Sequence, residues 1–63
     1  MNGNAAWEAM VSGEIVRNSE SWIEYRYSAS RDEIQYYCPI RRTWIATKNS
    51  IVWFMRQTFE PVE

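Results

Sequence analysis

The chain has 63 residues, a formal net charge of −1 and a sequence pI near 5.4, with four Trp, four Tyr, two Phe, one Cys and no His. This length specifies one domain, residues 1–63, and so small a domain buries only about 60% of the surface its unfolded chain exposes. A single cysteine excludes an internal disulfide, the lack of His removes the common zinc ligand sets, and the acidic balance supplies no global field to draw nucleic acid or an anionic membrane.

Asn4 reads as the cap of a short helix with residues 5–11 as its body and Gly13 as the left-handed residue that ends it. Trp7, Met10 and Val11 fall at i, i+3 and i+4, so they are expected on one face, and Glu8 lies where a negative charge suits the helix dipole. Two turns of helix do not stand alone in water, so this one must pack against the rest of the chain.

Beyond Gly13 the period becomes two and β-formers dominate. Residues 14–17 read as a first strand and 18–21 as a polar turn. Over 22–27 the side chains alternate, with Ile23, Tyr25 and Tyr27 on one face and Trp22, Glu24 and Arg26 on the other. Residues 28–32 form a loop, and 33–38 alternate again, setting Ile34, Tyr36 and Cys38 opposite Glu33, Gln35 and Tyr37.

Pro39 ends that strand, Arg41 and Arg42 lie in or beside a turn, and 43–47 read as the next strand, with Trp44 and Ala46 alternating against Ile45. Residues 48–50 turn again. The segment 51–55 is apolar throughout, and its β-branched and aromatic content favours a strand covered on both faces, the alternative being a helix over 51–58 capped by Ser50. Pro61 limits the end of the pattern. The expected fold is α+β: one short N-terminal helix packed on an antiparallel meander of four to five strands. Trp7, Ile23, Tyr25, Ile34 and Tyr36 are its expected core, with Trp53 and Phe54 in the core or at an interface.

Catalysis has few parts to draw on. Without His, and without Ser or Cys beside a base, a nucleophilic triad cannot be assembled. Asp32 and Glu33 are adjacent, so in a strand they point to opposite faces and do not share a proton. No enzyme, cofactor or metal is expected, and Cys38, alternating with Ile34 and Tyr36, reads as a buried, inert thiol.

Binding is better supplied, because Trp, Tyr and Arg bring large stiff area and planar donors at modest entropic cost, and Lys48 is the only lysine among seven basic residues. Arg41 and Arg42, flanked by Tyr36, Tyr37 and Trp44, suit a phosphate, a stacked base or an acidic protein patch; two solvated turn arginines beside ordinary sheet aromatics are the alternative. Trp22, Glu24 and Arg26 form a second candidate, covered either by a ligand or by a second copy of the chain. The candidate partner- or ligand-binding residues are therefore Trp22, Arg26, Tyr37, Arg41, Arg42 and Trp44.

The run Trp7-Glu8-Ala9-Met10, then Gly13, Val16-Arg17 and Trp22, resembles the opening of small phage proteins of the Thoeris anti-defence family. The likeness covers the first third of the chain. It implies a helix plus antiparallel sheet, a homo-oligomer, and sequestration of cyclic nucleotide signals made by bacterial immune systems. This chain departs from the family in being shorter, in placing its arginine immediately after Val16, and in lacking a counterpart of the middle loop that helps form the ligand pocket, so no ligand residue is carried over.

The leading expectation is a small phage-encoded inhibitor that binds a bacterial host defence protein by protein–protein contact. The alternative is an oligomeric sponge for a cyclic nucleotide, and third comes a nucleic-acid-binding accessory protein, which the acidic balance disfavours. No secretory signal pattern and no apolar run of the roughly 20 residues that span a bilayer are seen, so the expected location is the host cytoplasm.

Overall fold

A computed structural model describes residues 1–62. The first element, α1 (Gly3–Val11), begins earlier than its composition suggests: Asn2, rather than Asn4, is the cap, and its Oδ1 accepts from the Ala5 N–H at 2.9 Å. The helix stops on Gly13 at φ 97°, where the Gly13 N–H donates to the Met10 carbonyl and the Glu14 N–H to the Ala9 carbonyl, both at 3.0 Å. This paired arrangement satisfies carbonyls that a helix end leaves open. The buried stripe runs through Gly3, Ala6 and Met10, with Trp7 and Ala9 at its margins, so Val11 falls outside it and is exposed rather than packed.

Five strands follow: β1 (Val16–Asn18), β2 (Glu24–Ser28), β3 (Glu33–Cys38), β4 (Thr43–Ala46) and, after a second helix α2 (Ile51–Met55), β5 (Phe59–Pro61). They form one antiparallel sheet in the order β4-β3-β2-β1-β5. Only β1 to β4 make the expected meander. The fifth strand lies beyond the expected one and returns to pair with β1, and Pro61 is tolerated because β5 has only one paired neighbour in the sheet.

Residues 51–55 are thus helix, not the strand that their composition favours. Ser50 Oγ accepts from the Trp53 N–H at 3.2 Å, and the helical turn buries Phe54 to 2% exposure while Ile51, Val52 and Met55 stay at the surface. Local capping and one buried ring outweigh β-propensity, which reflects packing more than backbone preference.

The first strand starts two residues late because Glu14 is tied to the helix stop, and it gains Asn18. That side chain is almost fully buried and organises the following turn: its Oδ1 accepts from the N–H groups of Glu20 and Ser21, each at 2.9 Å, and its Nδ2 donates to Gln57 Oε1 at 3.3 Å. A buried amide so satisfied costs little. Three hairpin connections then share one device, a non-glycine residue at positive φ near the loop end: Trp22 at 63°, Asp32 at 51° and Arg42 at 54°.

Between the helices and the sheet lie Ala6, Met10, Val16, Tyr25, Phe54 and Phe59. Phe54 stacks on Phe59 at 5.8 Å between centroids, and Tyr25 meets both rings edge-on. Trp7, Ile34, Tyr36 and Trp53 pack around this centre half-buried. Ile23 is not core: it precedes β2 and remains 39% exposed. Cys38 ends β3 half-buried and free, not fully enclosed. Among the described residues, no helix is long and apolar enough to cross a membrane.

Candidate functional site: the helix-free face of the sheet

Because strand side chains alternate, residues next to the core positions Val16, Tyr25, Tyr36 and Phe59 point to the face without helices. The register sets Arg17 opposite both Glu24 and Glu60, and Trp44 opposite Tyr37. Continued along the β2–β3 ladder, it puts Glu24 opposite Tyr37, so one row reads Glu60, Arg17, Glu24, Tyr37, Trp44 across all five strands. A second row carries Arg26, Gln35 and Ala46.

Each of these two arginines lies against an indole. The Arg17 guanidinium lies 4.3 Å from the Trp22 ring centroid and donates from Nε and Nη2 to Glu60 Oε1 at 3.3 and 2.8 Å. The Arg26 guanidinium lies 4.5 Å from the Trp44 centroid and donates from Nε to Gln35 Oε1 at 2.9 Å. Gln35, only 6% exposed, passes the chain of bonds on by donating from Nε2 to Glu33 Oε2 at 2.9 Å. Tyr37 also meets Trp44, the two ring centroids 5.4 Å apart in an edge-on pair. The face is therefore held rigid by its own planar groups.

At the end of the sheet that carries the β1–β2 and β3–β4 turns, this face opens into a cleft of about 390 Å³ lined by Ser21, Trp22, Ile23, Glu24, Tyr37 and Pro39. Trp22 is 60% exposed on its rim, and Ile40, in the neighbouring turn, is 92% exposed. Among the described residues, Glu24 is the only charged one in the lining. Its cross-strand neighbour Arg17 is drawn to Glu60 instead, and among the described residues the Glu24 carboxylate has no ion pair or hydrogen bond. A second cleft of about 380 Å³, on the helix side, shares Ser21 and Ile23 with the first and extends to Lys48 and Trp53.

Of the residues expected from sequence to bind, Arg26, Tyr37 and Trp44 come together on one face, and Trp22 joins Tyr37 across the cleft. Trp22 gets there from a left-handed turn position preceding β2, not from the strand itself. Arg41 and Arg42 are exposed in the β3–β4 turn, and among the described residues neither stacks on a ring nor forms an ion pair. Tyr36, which flanks them in sequence, points to the helix side and packs on the core. Two contributors were not expected, Arg17 and Ile40; alternation from Val16 places Arg17 on the Glu24 face, whereas nothing local in the sequence marks Ile40. No protein family, curated protein or solved structure matches this chain.

Proposed function

We propose that this chain is a small, non-catalytic binding protein that docks on another protein through the Trp22 end of its helix-free sheet face. The observation that carries the reading is Trp22. A bulky residue held at φ 63° costs on the order of 1 kcal/mol or more, and here the indole is 60% exposed, so the fold recovers little beyond the Arg17 stacking. Together with exposed Ile40 and the rigid Arg26–Trp44–Tyr37 group, it supplies the aromatic anchor and planar donors typical of binding hot spots. Resemblance to the Thoeris anti-defence family suggests the setting: a phage-encoded inhibitor acting in a bacterial host cytoplasm on a component of an antiviral defence system. Tagged protein incubated with bacterial lysate tests this. A partner retained by the wild type and lost with Trp22→Ala is the expected result, and no retained partner from folded, abundant protein contradicts it.

An oligomeric sponge for a cyclic nucleotide is the second reading. A cleft of about 390 Å³ with two aromatic walls lies within the roughly 300–1,000 Å³ of small-molecule sites. Glu24 in its lining opposes a phosphate, and Arg41 and Arg42 do not line it, so the protein-binding reading is preferred. Thermal shift separates the two: a bound cyclic nucleotide at 100 times its Kd adds about 2.7 kcal/mol.

A further inference from the structure

We propose that the Trp22–Tyr37 cleft receives an arginine side chain of the protein partner, its guanidinium meeting the Glu24 carboxylate between the two rings. This rests on the protein-binding reading above and names the chemistry it recognises. The same fold already shows the arrangement one strand away. Arg17 is held by a ring and a carboxylate, Trp22 at 4.3 Å and Glu60 at 2.8 Å. The cleft offers a ring pair and a carboxylate, Trp22, Tyr37 and Glu24, and among the described residues no cation lines it, the Arg17 guanidinium stacking on Trp22 without entering the lining. Glu24 is half-buried and unpaired among the described residues, since Arg17 is turned toward Glu60. A carboxylate partly removed from water beside aromatic faces lowers its free energy by accepting from a donor, and a planar guanidinium satisfies the carboxylate and stacks on the rings at once.

The test is a titration of isotope-labelled full-length protein with the peptide acetyl-Gly-Arg-Gly-amide and with its citrulline analogue, which keeps the shape and loses the charge. The expected result is saturating shifts of the Trp22 indole N–H and of the Glu24 and Tyr37 amides, with Kd on the order of 1–10 mM for so short a probe. Citrulline and the Glu24→Gln variant, checked by its dispersed spectrum, are expected to weaken the response at least about fivefold. Glu20→Gln, in the exposed turn nearby, is expected to leave it unchanged. Equal responses to citrulline, an unaffected Glu24→Gln variant, or shifts centred elsewhere would overturn the proposal. So would spectra that change on dilution without peptide and cease to do so in Arg41→Gln/Arg42→Gln, because the occupant would then be a second copy of the chain. Lysate capture separates this inference from the reading beneath it. A partner lost with Trp22→Ala but held by Glu24→Gln removes the arginine and leaves protein binding intact, whereas no captured partner removes the protein-binding reading itself.

Discussion

Gly3 of α1 lies directly against the Phe54 carbonyl of α2, so closely that a Cβ at this position would overlap that oxygen and the Met55 Cα. Both obstacles are backbone. The short second helix therefore reaches the core, and places Phe54 in it, only because the first helix presents hydrogen where any other residue presents carbon. Gly3→Ala, at the first helical position, gains at most about 1 kcal/mol of helix propensity, but separating two backbones in a packed core typically costs about 1–3 kcal/mol or more. The overlap is with main chain on both counts, so the second effect wins. Net destabilisation of about 1–2 kcal/mol is expected by urea or thermal unfolding, with loss of the near-ultraviolet signal of the aromatic core; an unchanged or raised midpoint would refute the close approach.

Arg42 presents the opposite case. It is exposed, sits at φ 54° and makes no ion pair among the described residues, so its side chain returns nothing for the strained backbone. Arg42→Gly relieves about 1–2 kcal/mol of left-handed strain and gives back up to about 1 kcal/mol through the more flexible unfolded chain, so stabilisation of about 0.5–1 kcal/mol is expected. Asp32→Gly, at φ 51° in the β2–β3 loop, also relieves left-handed strain but removes the hydrogen bond that Asp32 accepts from the Tyr27 hydroxyl. It should stabilise less than Arg42→Gly, both because aspartate tolerates left-handed backbone better than arginine and because that bond is lost.

These left-handed turns mark the limit of what the sequence declares. Alternation at 33–38 is explicit, and β3 occupies those residues as expected. Gly13 likewise announces the helix stop that it makes. Trp22 and Arg42, by contrast, are not turn residues by type; their φ values follow from hairpin registers set by the Asn18 side chain and by the β3–β4 pairing, which residue type alone does not announce. Helix α2 is hidden because five apolar residues in a row carry no period, and the Ser50 cap, visible in the sequence, decides for helix only together with the burial of Phe54. The binding face is half legible. Arg26, Tyr37 and Trp44 can be assigned by parity, but Trp22 arrives from a left-handed turn position outside β2, and the diversion of Arg17 to Glu60 depends on β5 pairing with β1, a contact across most of the chain.

High pH should unfold the domain through its tyrosines. Burial, with a smaller contribution from neighbouring Tyr36, pushes the Tyr25 phenol above its ordinary 10.0, and the hydrogen bond to Asp32 raises Tyr27. A pKa raised in the folded state means that folding favours the protonated form. The stability so gained is complete below the unfolded value near 10.0 and is lost as pH rises through the higher folded value. Melting temperature is expected to hold to about pH 9.5 and then fall, and Tyr25→Phe should fall less steeply, because its ring keeps the core contacts without an ionisable group. Parallel curves for wild type and Tyr25→Phe would show that Tyr25 does not drive the transition.

Trp22→Gly separates what holds the fold from what the fold presents. Glycine accepts φ 63° without strain, a gain of about 1–2 kcal/mol, while the substitution gives up the Arg17 stacking, worth about 0.5–1 kcal/mol at an exposed site, and up to about 1 kcal/mol of unfolded-chain entropy. The terms nearly cancel, so the midpoint should move by less than about 1 kcal/mol. If the indole were a structural residue, its loss would instead destabilise by the 3–5 kcal/mol typical of a buried aromatic. Arg17 retains its ion pair with Glu60, so the sheet edge stays intact. An unchanged midpoint together with lost partner capture assigns Trp22 to recognition; a midpoint that collapses assigns it to the fold and withdraws the observation on which the binding proposal stands.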